Sequence, residues 1–232
     1  MENENIVQIE EEKVVEKKKS ALNIFLDGLL YKNPILSLFL GIAVAVLVSS
    51  QLEVALLAGA VVLVDLLITS CVVGALRKHL DKITAALVAL FISAGIAASF
   101  VMVFTKFAAN ASILLAAVPF VATTSIVIEK SEEHLSRSVK ETLIDSLGSG
   151  LGFIIAIAIV AVICEFFGTG GINFNVFSGA DKVTILSKPI SYLAKPFGGL
   201  LVTGVVCGIF NCVMNIIVSR KEKQAASLKE EN

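Results

Sequence analysis

Three observations predict an all-α membrane protein of six spanning segments, folded as two three-helix halves that run in opposite directions. The composition is 56% hydrophobic and 17% charged, against about 45–50% apolar and about 25% charged in a soluble domain; mean hydropathy is +0.87. The apolar residues form long, nearly charge-free runs of the length that crosses a bilayer. Two of those runs are short and weakened at matched places, the pattern of inverted-repeat membrane proteins with a midplane site.

The chain opens with MENENIVQIEEEKVVEKKKS, acidic and then basic, without the apolar core of a signal peptide. Residues 1–25 read as a cytoplasmic tail, 26–219 as the six-helix membrane domain, and 220–232 as a second cytoplasmic tail. The apolar segments lie at 34–50, 52–76, 83–107, 112–128, 142–167 and 197–219. The first and fourth hold 17 residues each, short of the roughly 20 needed to span. Gly41, Ala43 and Pro119 mark where these two are expected to break. A long external loop follows the fifth segment, with a short amphipathic stretch at 183–193. Tyr31 and Tyr192 sit just before the first and last segments, as interfacial anchors do.

Orientation follows from the basic residues. With the N-terminus inside, 15 of the 19 Lys and Arg fall on cytoplasmic parts, and only Lys106, Lys182, Lys188 and Lys195 fall outside. Both ends then face the cytoplasm. Three spans per half force the second half to run opposite to the first.

The fourth segment, ILLAAVPFVATTSIVI, centres the functional reading. Proline removes a backbone donor, and Thr123, Thr124 and Ser125 follow it. Freed backbone groups at membrane depth are tolerated only where protein or a lined cavity satisfies them. The competing reading is a packed helix kinked by proline, its hydroxyls bonding back to the helix itself. Asp65 is the one acid near the centre of an apolar segment. A carboxyl there is a functional hypothesis by default; the alternative is a protonated acid bonded to a neighbouring hydroxyl or carbonyl. Glu165, a further ion or substrate candidate, and Lys106 lie near outer segment ends, and Asp145 near an inner one, where it suits the positive N-terminal end of a helix; all three read first as boundary residues.

Cys71, Cys164, Cys207 and Cys212 form no CxxC and read as small hydrophobes. His79 and His134 fall in charged loops without metal-ligand spacing and read as solvated. Gly148, Gly150 and Gly152 make the start of the fifth segment a close packing face, either within the chain or against a partner. A P-loop, a dinucleotide fingerprint and a nucleophile–base pair are all lacking. So is a basic stripe interleaved with aromatics, so nucleic acid is not an expected partner.

The order of several motifs resembles the membrane subunits of Rnf and Nqr electron-transport complexes, in particular the branch that holds the Rnf E subunit and NqrD. They are GLLYKNPILSLFLG from Gly28, VPFVATTS from Val118, DSLGSGLG from Asp145, EFFGTG from Glu165 and PFGGLLVTGVVCGIFN from Pro196. The resemblance implies two inverted three-helix halves whose interrupted helices meet at the midplane. In that family each of these helices supplies a cysteine, two subunits together hold a binuclear [2Fe-2S] cluster, and the complexes couple electron transfer from NADH or ferredoxin to Na⁺ or H⁺ movement. Here the two cysteine positions match Ala43 and Ser125, so no cluster is expected on this chain.

The expected function is therefore that of an integral component of the Rnf/Nqr type in a bacterial plasma membrane. It would sit beside a homologous membrane subunit or other Rnf-type subunits and support coupled transfer without carrying electrons. A second reading makes the chain an inverted-repeat transporter for a small solute or cation. Asp65 is then the coupling carboxylate, with Thr123, Thr124 and Ser125 lining the site. A third makes it a scaffold or assembly factor without a site.

Overall fold

The computed structural model describes residues 20–40, 42–107, 112–172 and 183–230. They form eight α-helices and one two-stranded ribbon: α1 (Ala21–Leu26), α2 (Ile42–Val48), α3 (Leu52–Leu76), α4 (Lys82–Phe107), α5 (Ser112–Glu129), α6 (Ser131–Ser136), α7 (Val139–Thr169), β1 (Gly171–Ile172), β2 (Val183–Thr184) and α8 (Pro196–Glu230). Among the described residues four helices are long and apolar enough to cross a membrane: α3, α4, α7 and the part of α8 from Pro196 to Arg220. Ala21–Tyr31 and Val118–Glu129 are shorter apolar helices. The chain is thus an all-α membrane protein.

The first segment differs from expectation. Its break is not at Ala43, which lies inside α2, and Gly41 falls outside the described residues. Helix begins earlier, at Ala21, passes into a π-helical turn at Asp27–Tyr31, and stops at Lys32. The cause is Asn33–Pro34. The Asn33 side-chain oxygen accepts from the backbone N–H of Ile35 and Leu36 at 3.0 Å each, while its amide donates to the Leu29 carbonyl. An Asx turn thereby replaces helical hydrogen bonding, and Pro34 offers no donor to resume it. Phe39, at φ 57°, turns the chain once more before α2.

The fourth segment also differs: α5 runs unbroken through Pro119. One missing backbone donor costs a helix a single rung. The remaining turns are held by packing against α3 and α4, and the hydroxyls of Thr124 and Ser125 bond back to the Phe120 and Val121 carbonyls of the same helix.

α7 is the spine. A capping box starts it, with the Ser138 hydroxyl accepting from the Glu141 N–H and the Glu141 carboxylate accepting from the Ser138 N–H; left-handed Gly170 (φ 80°) ends it. Its glycines face inward, not toward a partner. A side chain at Gly148 would strike the Phe25 carbonyl, and one at Gly152 would come within 2.7 Å of the Leu29 carbonyl. α1 and the π turn therefore lie backbone-to-backbone on α7. On the other side, Gly150 admits Leu63 and Gly59 admits Ile154, which brings α3 close. Beyond α7, β1 pairs antiparallel with β2, so residues 183–184 are strand, and turns rather than an amphipathic helix follow to Lys195. Tyr192 there carries Lys195 over its ring.

Candidate functional site

Asp65 is fully buried in the middle of α3. The Thr69 hydroxyl, one helical turn on, donates to its Oδ1 at 3.2 Å, and the Ser93 hydroxyl from α4 donates to its Oδ2 at 2.6 Å. Thr123, from α5, brings a third buried hydroxyl to the same carboxyl without completing a hydrogen bond. The same three helices share an apolar cluster: Leu66 and Val73 of α3, Ala85 and Ala89 of α4, Ile126 and Val127 of α5. Among the described residues Asp65 forms no ion pair. A carboxylate in such surroundings is costly unless a proton or a cation neutralises it.

Of the residues singled out in the sequence, Asp65 and Thr123 meet here. Thr124 and Ser125 do not, because their hydroxyls serve their own helix. Glu165 is buried elsewhere. Its Oε2 accepts the backbone N–H of Leu52 at 2.7 Å, so α7 supplies the cap that α3 lacks from its own Gln51. Pro119 is buried in α5, and Ala43 lies exposed on α2. Cys164 and Cys207 are buried and Cys71 and Cys212 exposed, so the small-hydrophobe reading places only two of the four inside.

A second polar centre has no counterpart in the sequence reading. Lys130, between α5 and α6, is buried, and its ammonium donates to Asp145 Oδ2 at 2.9 Å and to Ser149 Oγ at 2.6 Å. His134 is fully buried rather than solvated, with Nε2 3.5 Å from the same carboxylate, and Arg137 lies 3.6 Å from its other oxygen. Glu133 pairs with Lys32 and with Arg137, and Arg77 donates to the Arg137 carbonyl. Burial pushes the Lys130 ammonium down from its ordinary range, while Asp145 pulls it back. On the surface nearby, Lys82 holds the Glu132 carboxyl below its usual range. Charge at a helix junction ordinarily signals solvent. Here the overlying α1 and π turn, seated on the α7 glycines, cover it. The one local signal is Glu133–Arg137, spaced i, i+4.

The model of the family described as "Rnf-Nqr subunit, membrane protein" matches residues 21–217, nearly the whole described chain. The chain belongs to the Rnf-Nqr subunit family. Two relatives accord with this. The E subunit of the proton-translocating ferredoxin:NAD(+) oxidoreductase complex of Clostridium ljungdahlii is 28% identical over 213 residues, covering 89% of this chain and 97% of the relative. The E subunit of the Na(+)-translocating ferredoxin:NAD(+) oxidoreductase complex of Acetobacterium woodii is 30% identical over 88 residues, covering 37% of this chain and 42% of the relative. In this Rnf-Nqr family member, the family match takes in both α1 and α5, the two elements that flank the α3–α7 spine.

Proposed function

We propose that the chain is a membrane subunit of an Rnf-type, ion-translocating ferredoxin:NAD(+) oxidoreductase complex, and that it carries no iron–sulfur cluster of its own. The observation that carries the first part is the match to an Rnf E subunit along 97% of that relative's length. The second part rests on the donor set. Ala43 has no ligating atom, and the Ser125 hydroxyl is engaged with the Val121 carbonyl at 2.7 Å. The residues at these two positions do not fit a thiolate-held cluster. Among the described residues no group of three His, Cys, Asp or Glu stands close enough to hold a metal instead.

The halves are 21–107 and 112–220, related by an internal two-fold. Reciprocal packing supports this. α1 and its π turn pack on α7 as α5 packs on α3, and α2 packs on α8 as α5 packs on α4. The α3–α7 contact lies between the two. Both termini face the cytoplasm of a bacterial plasma membrane, a reading supported by the gathering of Lys32, Arg77, Lys82, Lys130 and Arg137 at one end of the bundle.

Affinity purification of the tagged chain from native membranes tests the assignment. Flavin-carrying and ferredoxin-like subunits of an Rnf complex are expected at near-equal stoichiometry, and the chain purified alone is expected to be iron-free. Stoichiometric iron and sulfide on the isolated chain would sink the cluster-free reading. Purification with no redox subunit would sink the assignment to the complex.

A further inference from the structure

We propose that Asp65 with Thr69, Ser93 and Thr123 is an exchangeable site for a single positive charge, one proton or one small alkali cation competing for the same oxygens. Three helices converge to make it. Two carboxylate oxygens and three hydroxyl oxygens offer a hard, all-oxygen donor set of net charge −1, the chemistry that suits a monovalent cation rather than a transition metal. All of these oxygens belong to this chain, so the site does not depend on which subunits surround it.

The hydrogen-bond arrangement can serve both charge states of the acid, as an exchangeable site requires. Thr69 and Ser93 both donate, one to each carboxylate oxygen. Two donors leave acceptor capacity on both oxygens for a further donor or a cation, and either hydroxyl can rotate to accept when the acid is protonated. The Thr123 hydroxyl is the third group, buried close to the carboxyl but beyond the hydrogen-bond distance of the other two. It can accept from Asp65 when the acid is protonated, and it can turn a lone pair to a cation when the acid is ionised. A buried polar atom left without a partner costs about as much as a lost hydrogen bond, a cost that a proton or cation seated at Asp65 would relieve.

The charged groups on the surrounding helices do not compete for Asp65. Lys82 of α4 pairs with Glu132, and Lys106 lies exposed at the far end of that helix. Glu129, at the end of α5, is exposed. Lys130 and His134 are paired with Asp145 of α7, and Glu165 of α7 caps α3. The hydroxyls of three helices are what face the carboxyl.

Infrared difference spectroscopy of the full-length chain in sodium-free lipid vesicles provides the test. The carbonyl band of an un-ionised carboxyl, absent from Asp65→Asn, is expected at low pH. It should vanish as pH is raised, or when Na⁺ replaces choline at fixed pH. Loss by pH alone identifies the proton as the resident charge, and loss by Na⁺ at fixed pH identifies an alkali ion in competition. An Asp65-dependent band unmoved by either treatment would overturn the proposal in favour of a fixed structural acid. So would the absence of any such band. Ser93→Ala keeps the acid and removes one donor, so it remains informative if Asp65→Asn fails to insert. It is expected to move the proton or Na⁺ concentration at the midpoint by about tenfold, and an unmoved midpoint would also overturn the proposal.

Discussion

Lys130 shows how much one buried charge can hold together. Its ammonium ties α7, through Asp145 and Ser149, to the α5–α6 junction. Lys130→Met leaves the Asp145 carboxylate without its closest cationic partner and is expected to destabilise the protein by about 3–5 kcal/mol. Combining it with Asp145→Leu removes both charges and is expected to restore most of that loss. Denaturant unfolding in detergent micelles measures both. Asp65 and this network differ in how readable they are. An acid within an apolar run stands out, so Asp65 is visible in the sequence. Lys130 and His134 sit among the polar residues of a helix junction, where sequence gives no sign that another helix lies over them. Glu165 reads as a boundary acid, but its use as a cap for α3 depends on a contact 113 positions away.

At the scale of elements, Gly148 of α7 and Gly204 and Gly208 of α8 look alike in sequence and do opposite things. α1 packs directly onto Gly148, whereas a methyl group at Gly204 or Gly208 of α8 meets nothing within 4 Å. Gly148→Val is therefore expected to lose about 1–3 kcal/mol or more and to lift α1 off α7. Gly204→Ala and Gly208→Ala are expected to leave the isolated chain as stable or to gain about 0.5–1 kcal/mol. Thermal melts of the three variants in one detergent make the comparison. The long helices are legible because their apolar runs exceed the spanning length. The first and fourth segments are not, for opposite reasons. Ala21–Tyr31 holds an acid and borders the charged tail, so its composition hides a helix that ends at Asn33–Pro34 behind what reads as a helix start. Pro119 reads as a break, but neighbours on two sides keep α5 continuous through the missing rung.

For the molecule as a whole, the proposed topology rests on charge counts and reciprocal packing, and labelling can check it. In a background with its four native cysteines replaced, Ser187→Cys and Ser227→Cys are expected to react with a membrane-impermeant maleimide from opposite sides. Reaction from one side would place the ribbon after α7 and the C-terminal tail together and would refute the six-crossing arrangement. Family and membrane class are legible from the order of the motifs, of which those from Gly28, Glu165 and Pro196 meet a turn or a helix end while VPFVATTS and DSLGSGLG lie inside α5 and α7. The way the elements bury one another is not, because it is set by pairs far apart in the chain. Pro119 lies four residues before Thr123 on a helix that runs continuously from Ser112 to Glu129. The missing rung makes that helix most compliant to bending and rotation one turn from the hydroxyl beside Asp65. That compliance and the proposed charge site thus share one level of the bundle, so a small pivot there would alter the hold on the charge.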